Sequence, residues 1–145
     1  MGWVGILGCA AGVAGSFMAW ITVTSGFGSA DLQGTSGDGK ITAAIGVVAG
    51  LLAVFGLTQG KRGNVILAGF LALGGAVMSI YEWRHVSSGI DDLGDNEFVR
   101  ASVGNGLWLM LGGFIVATIC LFKSVPPDPL DAYATPVQAP NQPKA

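Results

Sequence analysis

The chain has 145 residues and a formal net charge of −2, only 11% of its residues are charged, and its mean hydropathy is +0.61. Soluble domains carry about 25% charged residues, so this composition excludes an ordinary soluble domain and indicates one membrane-embedded unit. The largest basic cluster is the pair Lys61-Arg62, which argues against a nucleic-acid partner. The 24 glycines are interleaved with Leu, Val, Ala and Phe, as in closely packed membrane helices.

The first apolar run extends from Trp3 to Val23 without a charged residue. A helix needs about 20 residues to cross the hydrocarbon core, so we predict helix 1 over residues 3–23. The run has no basic segment before it and exceeds the length of a signal-peptide core, which favours a retained span. Trp3 and Trp20 lie near its ends, where aromatic rings favour the membrane–water interface.

Three further apolar runs predict helices over about 41–57, 64–83 and 103–122. The predicted fold class is all-α: an integral membrane four-helix bundle of two helical hairpins, with the N- and C-termini on the same side. Residues 1–123 form this transmembrane domain. All six prolines lie in the tail 124–145, which we predict to be disordered because it lacks an apolar period.

Small residues recur at intervals of four on each predicted helix, which lets helix backbones approach closely and pack by van der Waals contact. The predicted helix-packing residues are Gly8, Gly12, Ser16, Gly46, Gly50, Ala68, Ala72, Gly113 and Ala117. A homodimer seam is the alternative use of such a face. Packing within the chain is favoured because similar faces occur on every helix.

Two polar loops join the spans. In the first, residues 24–40, Gly37-Asp38-Gly39 indicates a turn, and Asp38 or Thr42 is a candidate N-cap of helix 2. A calcium loop is the alternative, but only Asp38 and the distant Asp31 are available as ligands. The second loop, residues 84–102, mixes charged and apolar residues, so we expect a partly helical segment on the membrane surface.

The second loop contains the one cluster that resembles a site. The predicted outer-loop contact residues are Asp38, His85, Asp91, Asp92, Asp95 and Glu97. One His with several carboxylates is compatible with a divalent metal, but a solvated surface loop explains the same residues, and we predict no metal site. Glu82, next to Arg84 and His85, is expected at the interface in an ion pair or a snorkelling conformation. Cys9 and Cys120 lie in apolar runs and are expected to be free thiols.

No catalytic motif, cofactor motif or ionisable residue in the middle of a span is visible. We therefore predict no enzyme and no cofactor. The expected function is a non-catalytic accessory subunit that contacts other integral membrane proteins and stabilises a larger membrane complex. The alternative is a homo-oligomeric channel or transporter component. Its polar lining would be Ser16, Ser79, Asn105 and Thr118.

Basic residues in short loops predict the orientation of a multi-pass protein. One side of the predicted bundle carries four of them: Lys61, Arg62, Lys123 and Lys144. The other side carries three: Lys40, Arg84 and Arg100. We therefore predict a plasma-membrane protein with cytoplasmic termini.

Three segments carry a family resemblance: F-M-A-W-I-T-V at the end of helix 1, G-T-S-G-D-G-K-I-T before helix 2, and A-S-V-G-N-G-L-W-L-M-L-G-G entering helix 4. In this order they resemble a group of small four-span actinobacterial membrane proteins of unknown function. The resemblance covers about residues 1–123 and implies the four-span fold without an activity. The layout is also similar to claudins, but the W-x-G-L-W-x-x-C-C pattern of claudins is absent.

Overall fold

The structure, a computed structural model, describes residues 1–34, 38–93 and 99–128, without the side chains of 91–93 and 99. This part of the chain is mostly helical, with a small sheet. The elements in chain order are α1 (Gly2–Phe17), β1 (Ala19–Ser25), β2 (Gly28–Gln33), α2 (Gly39–Gln59), α3 (Arg62–Leu93), β3 (Val99–Val103) and α4 (Asn105–Phe122).

Three of the described helices, α2, α3 and α4, are long and apolar enough to cross a membrane. The helix α1 is apolar but has only 16 residues. At 1.5 Å per residue it is about 24 Å long, which is less than a hydrocarbon core of about 30 Å. The prediction of four full-length spans is therefore not supported for the first helix, although the other three lie close to their predicted positions.

The all-α prediction is wrong because residues 19–33 and 99–103 form a three-stranded antiparallel sheet in the order β2-β1-β3. Helix 1 ends at Phe17 instead of Val23, and Met18 is already extended, with ψ at 171°. The following Ile21-Thr22-Val23-Thr24 is a run of four β-branched residues, whose stiff side chains favour a strand over a helix. Thr22 pairs with Asp31 of β2 and with Ser102 of β3.

The helix α3 continues about ten residues beyond its predicted end at Trp83. With 32 residues it is about 48 Å long, so it extends past the bundle towards the sheet. Trp83 and Val86 lie one turn apart on it and pack against the core together with Val103 of β3. The predicted surface segment 84–102 is thus, where described, the last part of α3 followed by β3. We call the end of the bundle that carries β1, β2 and β3 the sheet end. The opposite end, where residues 60–61 connect α2 to α3, is the turn end.

The bundle core is centred on Phe114 of α4, which is completely buried. Its ring lies against glycines of the three other helices. A Cβ atom would lie 2.9 Å from the ring at Gly12, 3.1 Å at Gly46 and 2.8 Å at Gly75. Any side chain at these three positions would displace the ring, so the sequence of small residues on α1, α2 and α3 creates the space that one large residue fills.

At the turn end, the chain after α4 is attached to the start of α3 by an ion pair. Arg62 Nη1 lies 3.0 Å from Asp128 Oδ2. The predicted disordered tail therefore begins with a contact to the bundle. Residues 129–145, the rest of that tail, lie outside the described residues.

Candidate functional site

The predicted packing residues of α1 and α4 lie where the two backbones are closest. A Cβ atom on Gly8 would lie 2.7 Å from both the Gly113 oxygen and the Ala117 nitrogen. One on Gly113 would lie 2.6 Å from the Gly12 nitrogen. Ser16 is buried, and its hydroxyl donates a hydrogen bond to the Gly12 carbonyl at 3.1 Å. The main chain itself therefore forms this contact, because no side chain separates the two helices.

The predicted packing residues of α2 and α3 have different surroundings. Ala68 and Ala72 of α3 are completely buried. A Cβ atom on Gly46 would lie 2.7 Å from Val13 Cγ2, but one on Gly50 would meet only Cys9 Cβ, at an ordinary 3.6 Å. Gly50 is therefore the one member of the predicted set on α2 whose neighbours leave room for a methyl group.

Gly50 lies in an open crevice between α1 and α2, which we call the α1–α2 groove. It has a volume of about 450 Å³ and is lined almost entirely by apolar atoms of residues 6–14 and 46–54. Its small lining residues include Ala10 and Ala14 of α1 and Gly46 and Gly50 of α2. Cys9, a free thiol, lies buried at its floor. The groove therefore offers a narrow apolar surface at which a helix backbone can be approached closely.

A second cavity, of about 260 Å³, lies at the sheet end, and we call it the sheet-end cavity. Its lining residues are Trp20, Asp38, Tyr81, Glu82, His85 and Val86. They come from β1, from the start of α2 and from the part of α3 around and beyond the predicted helix end. The sheet-end cavity therefore exists only because the sheet and the extension of α3 are present.

Trp20 forms the inner wall of the sheet-end cavity. The ring is 7% exposed, and its Nε1 donates a hydrogen bond to the Gly15 carbonyl at 3.1 Å. Gly34 and Gly39 lie directly against the indole, where a Cβ atom on either would collide with the ring. Trp20 is thus held in place within the fold, and its position at the membrane interface stays a prediction. Trp3, in contrast, is exposed.

Glu82 is the least expected residue of the sheet-end cavity. Its side chain is only 4% exposed, and its Oε1 accepts a hydrogen bond from the buried Thr42 hydroxyl at 3.2 Å. Its Oε2 is also buried and has no hydrogen-bond partner among the described residues. Leaving a buried acceptor unsatisfied costs about 1–3 kcal/mol, and more for a charged group. The predicted interfacial ion pair or snorkelling of Glu82 is therefore wrong.

The rim of the sheet-end cavity combines charge and aromatic rings. Tyr81 and His85 lie one turn apart on α3, and their rings are stacked with centroids 6.3 Å apart and 6° between their planes. Asp38 is the N-cap residue of α2, but its side chain makes no capping hydrogen bond, and neither does Thr42, which donates to Glu82 instead. The N-cap prediction is therefore confirmed for the position of Asp38, but neither the Asp38 nor the Thr42 side chain makes the predicted capping hydrogen bond.

The structure brings together two of the predicted outer-loop contact residues, Asp38 and His85, at this cavity. Asp91 and Asp92 belong to the last turn of α3, and their side chains lie outside the described part of the structure. Asp95 and Glu97 lie outside the described residues altogether. Among the residues that are described, no group of three His, Cys, Asp or Glu side chains is arranged to hold a metal ion.

The meeting of Glu82, Trp20 and Tyr81 in one cavity is not predicted from the sequence. A signal was present, because Glu82 is the first charged residue after an apolar run that begins at Val65. An isolated carboxyl group at the end of a membrane helix is usually solvated, however, whereas this one is buried beside Thr42 and lines a cavity with Trp20 of the unpredicted sheet. What the cavity offers chemically is a buried acceptor, a second carboxylate and aromatic walls.

No family model, curated protein or solved structure matches the chain. The resemblance to small four-span actinobacterial proteins therefore stays a prediction.

Proposed function

We propose that this chain is a non-catalytic integral membrane protein, an accessory subunit that holds a transmembrane helix of a partner protein in the α1–α2 groove. The observation that carries the proposal is the apolar groove with small lining residues on both of its helices. Membrane helices associate by close van der Waals packing at small residues, since lipid removes the hydrophobic driving force. A groove of this kind would stabilise a partner helix without any catalytic group.

The proposed occupant is a helix rather than a lipid chain because the groove is lined by small residues at helical spacing. Ala10 and Ala14 are exposed and one turn apart on α1. Gly46 and Gly50 are one turn apart on α2, and no contact within the described chain requires glycine at position 50. An acyl chain fills any apolar crevice, whereas a helix backbone gains from a surface that lacks protruding side chains.

The same proposal places all four helices in the plasma membrane, with the short α1 packed alongside α4. The turn end, with Lys61, Arg62 and Lys123, is placed in the cytoplasm by the excess of basic residues in short connections. We test this with single cysteines at Ser29 in β2 or at Gln59, in a variant without the native cysteines. An impermeant thiol reagent should label the first from outside intact cells and leave the second unlabelled. Labelling of Gln59→Cys alone would reverse the orientation.

Two matched glycine variants test the groove as the docking surface. Gly50→Leu should abolish recovery of the partner, because the leucine fills the groove. Gly74→Leu on α3 adds the same side chain at an exposed glycine with no described atom within 4 Å of its Cβ position. It should leave recovery unchanged. The measurement is purification of the tagged chain in mild detergent, followed by mass spectrometry and native mass measurement.

The possible results of that purification separate the proposal from its rivals. Stoichiometric unrelated membrane proteins that depend on Gly50 would support it. A pure ring of this chain would promote the channel alternative, and equal recovery by both leucine variants would remove the groove from the proposal. The channel alternative has one difficulty in the described chain: Ser16 and Ser79 are completely buried and donate to carbonyls of their own helices. They would face the bundle interior instead of a pore between copies.

A further inference from the structure

The carboxyl group of Glu82 has one oxygen without a hydrogen-bond partner among the described residues. Its Oε2 is buried, accepts no hydrogen bond in the described part of the chain, and belongs to a side chain that lines the sheet-end cavity. No Lys, Arg or His nitrogen of the described residues lies within ion-pair distance of it. A buried acceptor on a side chain that lines a cavity requires a donor that the described chain does not supply.

We infer that the sheet-end cavity binds a primary ammonium group. An N–H of the ligand donates to Glu82 Oε2 and completes the hydrogen-bonding of the carboxyl group. Asp38 adds a second carboxylate at the cavity wall. Trp20 and Tyr81 supply aromatic rings, whose faces attract a cation electrostatically. Two carboxyl groups, one of them with an unpartnered oxygen, and two aromatic rings thus line the same space.

Because Glu82 Oε2 needs a hydrogen-bond donor, only some classes of cation satisfy the cavity. A quaternary ammonium group is attracted by aromatic rings but has no N–H, so it would leave Oε2 unsatisfied. A metal ion would need several converging ligands, and in the described chain no such group of three exists. The cavity, of about 260 Å³, is smaller than the pockets that usually hold drug-sized ligands. It is larger than the roughly 30 Å³ that one water molecule occupies in the liquid. The ligand is therefore a small amine or the amine end of a larger molecule.

The same chemistry is available from two sources. The cavity lies at the sheet end, beside the first turn of a membrane-spanning helix, where the ethanolamine headgroup of a phospholipid would be found. A small soluble amine in the surrounding solution presents the same group. The ammonium group is common to both sources, and the lipid composition of the nanodisc distinguishes them.

The first measurement uses the wild-type full chain in phosphatidylcholine nanodiscs and isothermal titration calorimetry. Ethanolamine should bind, and ethylene glycol, which replaces the ammonium by a neutral hydroxyl of similar size, should not. Tetramethylammonium should bind about tenfold more weakly than ethanolamine, because it offers charge without a hydrogen-bond donor. Equal binding of ethanolamine and ethylene glycol, or tighter binding of tetramethylammonium, would overturn the inference without the need for any variant.

The second measurement compares two conservative carboxyl variants. Glu82→Gln keeps the size and an oxygen for Thr42 but removes the charge, and should weaken ethanolamine binding about tenfold or more. Asp31→Asn is the matched control, since Asp31 lies on exposed β2, outside the cavity, and accepts a hydrogen bond from Thr22. It should change the affinity by less than about twofold. Equal affinity of Glu82→Gln and wild type, with both folded, would contradict the assignment.

The lipid arm repeats the titration in nanodiscs that contain phosphatidylethanolamine. If the headgroup is the natural ligand, ethanolamine binding will be suppressed there, and native mass spectrometry will find phosphatidylethanolamine retained by wild type but not by Glu82→Gln. If a soluble amine is the ligand, the affinity for ethanolamine will be the same in both nanodiscs. Both results support an ammonium site and identify its source. Neither depends on the α1–α2 groove, so this inference and the proposed function can fail separately.

Discussion

The α1–α4 contact and the α1–α2 groove are both built from small residues, but only the first brings two backbones together. At Gly8, the main-chain atoms of Gly113 and Ala117 are so close that even a methyl group would overlap them. At Gly50, a methyl group would make an ordinary contact with Cys9. The same residue type therefore closes one helix pair and leaves the neighbouring pair open.

A small-residue ladder therefore does not by itself identify an internal contact. Helix α1 presents Gly8, Gly12 and Gly15 to α4, whereas Ala10 and Ala14, on another face, remain exposed in the groove. Spacing alone cannot distinguish these faces. The distance from each Cβ position to the nearest backbone atom of the neighbouring helix distinguishes the two faces. Substitutions on the two faces should therefore change the free energy of unfolding by different amounts.

The largest effect is expected from Phe114 of α4, whose ring packs against both helices of the groove. Phe114 fills the space beside Gly12 of α1 and Gly46 of α2. Phe114→Ala should destabilise the protein by about 3–5 kcal/mol, because it leaves a large cavity at the centre of the bundle. Reversible unfolding in mixed detergent micelles measures this value. A cost below about 1 kcal/mol would show that the bundle collapses onto the vacated space and that the ring does not organise the core.

A smaller but clear effect is expected at the α1–α4 contact. Gly8→Ala should cost about 1–3 kcal/mol, because the added methyl group overlaps backbone atoms that cannot rotate away. The same unfolding measurement applies. The control is Gly112→Ala on α4, where no described atom lies within 4 Å of the Cβ position. Equal stability of both variants would show that α1 and α4 can separate slightly without loss.

The smallest effect is expected in the groove. Gly50→Ala should change the free energy of unfolding by less than about 0.5 kcal/mol, or increase it slightly through better helix propensity. Thermal or detergent unfolding of the isolated chain is the measurement. Destabilisation as large as that of Gly8→Ala would remove the distinction between the two regions, since it would mean that the groove is closed in solution.

Most of the helical part of the fold could be predicted from the sequence because long apolar runs have few alternatives in a chain of this composition. The runs at 41–57, 64–83 and 103–122 correspond to α2, to the first two-thirds of α3 and to α4. The end of α1 could not be predicted in the same way. Residues 19–23 are as apolar as the helix before them, so hydropathy does not indicate where the helix ends. The β-branched side chains change the local preference from helix to strand.

The sheet and its cavity depend on contacts between distant parts of the chain. Thr22 pairs with Ser102, and the Ser102 hydroxyl donates to the Thr22 carbonyl across 80 residues at 3.5 Å. Local patterns carry no information about such a pairing. The sequence predicts Asp38 and His85 as polar contact residues of the loops, but their meeting with Trp20 and Glu82 in one cavity involves the sheet, which local patterns do not predict.

The central position of β1 has a consequence for the order in which the protein assembles. The elements α1 and β1 are synthesised before α4 and β3, the partners that complete them. Until then, the nascent chain carries an unpaired strand edge and an uncovered glycine face on α1. Chains released from the ribosome before α4 is made should therefore be recognised by membrane proteases or insertion chaperones, whereas chains that contain β3 and α4 can close both surfaces.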